Sequence, residues 1–191
     1  MQIGVLALQG AFAEHAAALR RIGARAVEVR LPRDLIDLAG LIIPGGESTT
    51  IGKLAVTFGL LEPLRAFAAS RPVWGTCAGA IFLSQDARRD QPLLGVMAIT
   101  VARNAFGRQV DSFEVALPVP ALAGGAAQPF PAVFIRAPLI ESVGAGVRVL
   151  AQLPDGRIVA AQQGHLLATS FHPELTGDDR FHRYFLKLTG V

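Results

Sequence analysis

The sequence predicts an α/β fold: a three-layer α/β/α sandwich around a mostly parallel mixed sheet, with residues 1–191 forming one domain. Two patterns and one bulk property predict it. Short apolar runs alternate with helical stretches through the first half of the chain, the βαβ rhythm of a parallel sheet covered on both faces. Strand signals dominate the second half, which makes the sheet mixed. Hydrophobic residues are 51% of the chain and charged residues 17%, enough for a substantial core and too little charge for disorder.

The elements follow in order. Met1-Gln2-Ile3-Gly4-Val5-Leu6-Ala7-Leu8 is a first strand that ends at Gln9-Gly10. A helix over about residues 13–22 comes next, closed by Gly23. Ala26-Val27-Glu28-Val29-Arg30 alternates as a second strand, and Leu41-Ile42-Ile43 is a third, a short apolar run between turn signals. Helices over about residues 50–58 and 61–69 lead to the apolar Pro72-Val73-Trp74, which runs into a glycine-framed turn. Beyond Met97 the strand candidates are residues 99–102, 113–117, 132–135, 147–150 and 158–161. Pro154-Asp155-Gly156-Arg157 is the hairpin turn between the last two. Leu166 to Phe171 reads as a buried final strand, and a helix over about residues 178–188 ends the fold. Pro118 to Pro131, rich in Ala, Gly and Pro, reads as a surface loop.

Composition excludes several classes of function. No apolar run approaches the ~20 residues of a membrane span. The N-terminus lacks the basic and apolar regions of a secretion signal, so the cytoplasm is the expected location. A single cysteine rules out an internal disulfide and suits a reducing compartment. The 18 basic and 15 acidic residues give a net charge of +3, but the arginines are scattered and no aromatic ladder accompanies them. Nucleic acid is not an expected partner. His15, His165 and His182 have no metal-ligand spacing, and neither a metal nor a bound cofactor is expected. His15, on the first helix, reads as structural or interfacial, with Glu14 beside it on a candidate docking face.

The chemistry centres on three motifs. Cys77 stands in Gly75-Thr76-Cys77-Ala78-Gly79, a G-x-C-x-G turn directly after an apolar strand. That is the pattern of a nucleophile elbow, with cysteine in the serine position. A lone cysteine is otherwise a small buried hydrophobe. Near the C-terminus, Ser170-Phe171-His172-Pro173-Glu174 offers a base and a group to orient it. Pro173 pushes His172 toward an extended conformation, in which residues two apart face the same side. His172 and Glu174 are thereby expected to share one pocket; the alternative is a surface turn. The third motif, Pro44-Gly45-Gly46-Glu47-Ser48-Thr49-Thr50, follows the apolar Leu41-Ile42-Ile43. A strand ending in a glycine pair can turn backbone N–H groups toward a developing oxyanion. Gly46 would supply one donor and Ala78, after the cysteine, the other. A βα turn with a helix cap at Ser48 or Thr49 is compatible with the same residues.

Together these motifs resemble a class I (triad) glutamine amidotransferase, of flavodoxin-like fold. More narrowly, the chain is similar to the glutaminase subunit of pyridoxal 5′-phosphate synthase. That match rests on Gly4 to Gly10 with Glu14-His15, Gly45 to Thr50, Gly75 to Gly79, Val133 to Pro138 and Ser170 to Thr176. Its most distinctive stretch is Arg103 to Glu114. The resemblance implies hydrolysis of L-glutamine to L-glutamate and ammonia by Cys77, His172 and Glu174. It places Gly46, Glu47, Ser48, Arg103, Ile135 and Arg136 around the substrate. It further implies a (β/α)₈ synthase subunit that consumes the ammonia and raises a weak glutaminase activity on docking. Arginine suits an α-carboxylate through forked hydrogen bonds, whereas Arg103 and Arg136 taken alone read as surface ion pairs. The competing expectations are a glutaminase serving another synthase, such as one of histidine biosynthesis, a cysteine-elbow redox or stress protein of similar fold, and an inactive scaffold.

Overall fold

The computed structural model describes residues 1–103 and 112–190. Most of the Arg103–Glu114 stretch, Asn104 to Asp111, therefore lies outside the described residues. The chain opens with β1 (Gln2–Leu6), α1 (Phe12–Arg21) and β2 (Arg25–Val29), then a 3₁₀ turn, β3 (Gly40–Ile43), α2 (Ser48–Thr57) and α3 (Leu61–Ala68). β4 (Val73–Thr76) runs directly into α4 (Ala78–Leu83). The strand-rich half holds β5 (Ser84–Asp86), β6 (Met97–Ala102), β7 (Ser112–Leu117), β8 (Phe130–Ile135) and β9 (Leu139–Val143). It continues with β10 (Val147–Gln152), β11 (Ile158–Gln163), β12 (Leu166–Thr169), a second 3₁₀ turn and α5 (Arg180–Leu188).

The main sheet has the order β2-β1-β3-β4-β12-β11-β9-β6-β5, with β10 also paired to β11. From β2 to β12 every ladder is parallel. Beyond β12 the pairs β12–β11, β11–β9 and β9–β6 are antiparallel, and β5 closes the edge parallel to β6. β7 and β8 form a separate antiparallel ribbon. Register matters more than strand count here. Ile43 pairs with Gly75, and Thr76 pairs with Thr169. The carboxyl ends of β3, β4 and β12 therefore lie side by side at one edge, where open α/β sheets bind ligands.

Alternation within the buried strands splits the core in two. Leu41, Ile43, Val73, Leu166 and Ala168 face α2, α3 and α4. Ile42, Trp74 and Leu167 face the opposite way, toward α1, α5 and the β7–β8 ribbon. The outcome is the three-layer sandwich expected from the sequence. Trp74 is the hub of the second core: it is fully buried, packs on Phe181 and Phe185, and donates its indole N–H to Thr169 Oγ1 at 3.1 Å. Among the described residues, no helix is long and apolar enough to cross a membrane.

Two strands have no counterpart in the sequence reading. β5 is only Ser84-Gln85-Asp86 at a sheet edge, too short and polar to give an apolar signal. In β9, Glu141 and Ser142 are exposed and interrupt the alternation. The 118–131 segment is also more than a surface loop, since Val119, Leu122 and Phe130 are buried in the second core. Trp74→Ala removes the hub of that core and is expected to cost about 4 kcal/mol, read as a lower midpoint in denaturant unfolding. A loss under about 1 kcal/mol would mean that the two faces are not separately packed cores.

Candidate active site

Cys77 sits at the junction of β4 and α4 with φ 48° and ψ −107°. This left-handed conformation is strained for a residue with a side chain, of order 1–3 kcal/mol. The surroundings enforce it. Cys77 N–H donates to Thr169 O of β12 at 2.8 Å, and α4 starts at the next residue. A Cβ on Gly79 would collide with the carbonyl of Ile43, and one on Gly75 with the carbonyl of Gly79. Both glycines of the G-x-C-x-G turn are thus demanded by the close passage of α4 against β3 and β4. The thiol is left at the floor of a cleft, 7% exposed.

His172 follows β12 at the same edge. Its N–H donates to Val133 O of β8 at 2.8 Å, which ties it to the ribbon. Its Nδ1 lies 2.7 Å from Glu174 Oε1. The route to this contact differs from the expected extended segment. Pro173–Leu175 is a 3₁₀ turn, and it curls the glutamate back beneath the ring. Burial disfavours the imidazolium, but hydrogen bonds with Cys77 and Glu174, and the charges of both, outweigh it and push His172 up to about 10. Burial likewise favours the neutral acid at Glu174, yet the imidazoles of His15 and His172 hold its carboxyl below the ordinary glutamate range. A buried carboxylate paired in this way is ionised at neutral pH, so His172 directs its Nδ1–H at Glu174 and, as an imidazolium, turns Nε2–H toward Cys77.

Above the thiol lies a cavity of about 310 Å³. The residues singled out in the sequence, Gly46, Glu47, Ser48, Cys77, Ala78, Arg103, Ile135, Arg136 and His172, all border it. Glu174 does not; it stands behind His172, 5% exposed. Glu47 caps α2 by accepting from Thr49 N–H at 3.0 Å and pairs with Arg103 at 2.7 Å. Burial would raise Glu47, but the Thr49 N–H and the Arg103 guanidinium bring it below the ordinary range. Arg136 ends the ribbon at φ 41° with an exposed side chain.

Sequence reasoning assigned no role to Gln9, Ile81 and Pro138, which also line the cavity. Gln9 Oε1 accepts Glu47 N–H at 2.7 Å and thereby pins the Gly46–Glu47 segment. Its place at the end of the first strand was the available signal. His15 is fully buried and so cannot belong to a docking face.

Comparison with known proteins adds an independent finding. The family model described as "SNO glutamine amidotransferase family" matches residues 5–190. A relative from Dehalococcoides mccartyi (strain 195), named pyridoxal 5′-phosphate synthase subunit PdxT, is 61% identical over 98% of this chain and 97% of its own. A relative of the same name from Moorella thermoacetica is 57% identical, with full coverage of both chains. A crystal structure described as a glutamine amidotransferase superposes with a TM-score of 0.93 at 52% identity, covering 99% of each chain.

Buried histidines beneath the site give it an acid sensitivity. Burial holds His15 below its ordinary range, and His182 well below. In the unfolded chain a histidine protonates near pH ~6.5. Above that pH neither state binds the proton. Below it the unfolded chain takes up protons that the fold refuses, so stability falls by up to about 1.4 kcal/mol per pH unit for each histidine. His172 acts in the opposite sense: its contribution is complete below about 6.5 and is lost only as pH rises toward about 10. The melting temperature is therefore expected to drop as pH falls below about 6.5, with a shallower slope in His182→Phe. An unchanged slope in that variant would show that His182 is not held neutral by the fold.

Proposed function

The chain belongs to the SNO glutamine amidotransferase family, and on that premise we propose that it is the glutaminase subunit of a pyridoxal 5′-phosphate synthase. It hydrolyses L-glutamine to L-glutamate and ammonia within one domain, residues 1–191, and works in the cytoplasm. The observation that carries this reading is the row Cys77–His172–Glu174, whose first two members line a cavity that also carries the Glu47–Arg103 ion pair. The relatives named as synthase subunits support the pathway.

The chemistry runs in two halves. At neutral pH His172 Nε2 already holds the proton drawn from Cys77, and the thiolate sulfur attacks the side-chain amide carbon of glutamine. The carbonyl π electrons move to oxygen, where the N–H groups of Gly46 and Ala78 receive the oxyanion. Collapse expels the amine, which takes the proton from His172 and leaves as ammonia. A γ-glutamyl thioester on Cys77 remains. Water then loses a proton to His172 and attacks the thioester; the sulfur departs as the thiolate beside the His172 imidazolium, and glutamate is released. Glu174 keeps Nδ1 protonated throughout and stabilises the imidazolium.

Specificity follows from charge. Free glutamine is a zwitterion at its head. Glu47 and Arg103 neutralise each other at 2.7 Å. Substrate replaces one partner of each: its carboxylate turns to Arg103, with Arg136 nearby, and its ammonium turns to Glu47. Ser48 and Ile135 border the same volume. This exchange leaves no charge unpaired, whereas a substrate carrying only one of the two head charges would break the pair and strand one partner.

Ammonia is passed to a (β/α)₈ synthase subunit. The Gly45–Gly46 pair gives docking a lever, because a glycine peptide reorients at low steric cost. Glutamate release from L-glutamine, with and without that subunit, tests the reading. Release is expected to be weak alone, raised many-fold by the partner, absent in Cys77→Ala, and lowered roughly 10³-fold in His172→Asn. Stimulation only by a different synthase would reassign the pathway. Full activity in Cys77→Ala would refute the mechanism.

A further inference from the structure

The catalytic row does not stop at Glu174. That carboxylate has two oxygens, and His172 Nδ1 takes only Oε1. Oε2 is buried, and no described residue completes a hydrogen bond to it. His15 Nε2, from α1, stands 3.3 Å away, close enough for a strong charge–dipole attraction. The same nitrogen lies 3.1 Å from the hydroxyl of Thr76, the residue before Cys77. On the other side of the ring, His15 Nδ1 lies 3.0 Å from His182 Nε2 of α5. His182 Nδ1 has no partner among the described residues. Both rings are fully buried and pack edge-on against Trp74.

These contacts fix the protons. A buried N–H without an acceptor is rarer and costlier than a bare acceptor. His182 Nδ1 is therefore the unprotonated nitrogen, and Nε2–H donates to His15 Nδ1. His15 then carries its proton on Nε2, which faces Thr76 Oγ1 and the carboxylate. The opposite tautomer would aim a lone pair at a buried anion.

We propose that His15 is a positioning residue for the glutaminase reaction: its Nε2–H holds Glu174 Oε2 ionised and in one orientation, Glu174 in turn holds His172 with Nε2 toward Cys77, and His182 sets the tautomer of His15. This rests on the catalytic reading of Cys77, His172 and Glu174. Both histidines are kept neutral by burial, so the device works through directed dipoles. Besides Glu174, His15 feels the charges of His172 and Glu14, and His182 feels that of Arg21.

Because Cys77 is the only cysteine, its alkylation by iodoacetamide reads the thiol–imidazole pair without glutamine or partner. His15→Leu removes the donor, and His15→Gln keeps a side-chain N–H. Loss of the donor destabilises the carboxylate, hence the imidazolium, hence the thiolate beside it. In His15→Leu the pH midpoint of alkylation is expected to move upward. In the assembled synthase kcat is expected to fall roughly ten- to a hundredfold, with little change in KM. His15→Gln restores much of both. If His15→Leu fails to fold, His182→Phe, which frees the His15 tautomer, is expected to move the midpoint the same way by less. An unmoved midpoint in whichever of these two variants folds, or His15→Gln as impaired as His15→Leu, would overturn the proposal. His172→Asn separates the two levels: if it too leaves the alkylation profile unchanged, the catalytic reading itself fails. If only His172→Asn moves the profile, the positioning role alone fails.

Discussion

The parallel register of β3, β4 and β12 is the constraint on which the rest depends. Thr76 opposite Thr169 and Gly75 opposite Ile43 bring three strand ends to one edge. From that edge the chain emits a glycine pair, a cysteine and a histidine. The close passage of α4 against Ile43 forbids a side chain at Gly79, the start of α4 forbids one at Gly75, and Cys77 is left in its strained turn. A strained residue persists only where its neighbours over-determine it. Here the Thr169 carbonyl and the start of α4 do so from two sides. The elbow is thus a product of sheet geometry rather than of local preference.

Electrostatics builds on that frame. A buried carboxylate is costly unless its charge is met. Glu174 is met by His172 on one oxygen and approached by His15 at the other. Its charge then sustains an imidazolium next to the thiol. At the wall of the cavity, the Glu47–Arg103 pair stores two opposite charges within reach of a zwitterion. The site therefore holds two groups of charges: a buried row at His172 and Glu174, and a more exposed ion pair at Glu47 and Arg103.

Much of this was legible in the chain because the chemistry sits in short local motifs. Gly75 to Gly79, Pro44 to Thr50 and Ser170 to Glu174 each follow an apolar strand, and nine residues singled out as site residues line one cavity. What stayed hidden was set by distant contacts or by weak signals. Gln9 acts on Glu47 across the β1–β3 neighbourhood, and His15 reaches Glu174 and His182 only after α1 and α5 pack on the same face. β5 and β9 carry too few apolar residues to announce themselves. His172 and Glu174 meet at 2.7 Å through a 3₁₀ turn rather than the expected extended segment, and only His172 borders the cavity.

The central claim is that the sulfur of Cys77 carries the glutamyl group between the two half-reactions. Rapid quenching of the complete synthase during turnover of L-glutamine, followed by intact-mass and peptide analysis, tests it directly. The expected result is a γ-glutamyl adduct on the peptide containing Cys77, formed and lost at the rate of glutamate release. Turnover with no adduct at Cys77, or with the adduct on another residue, would contradict the account.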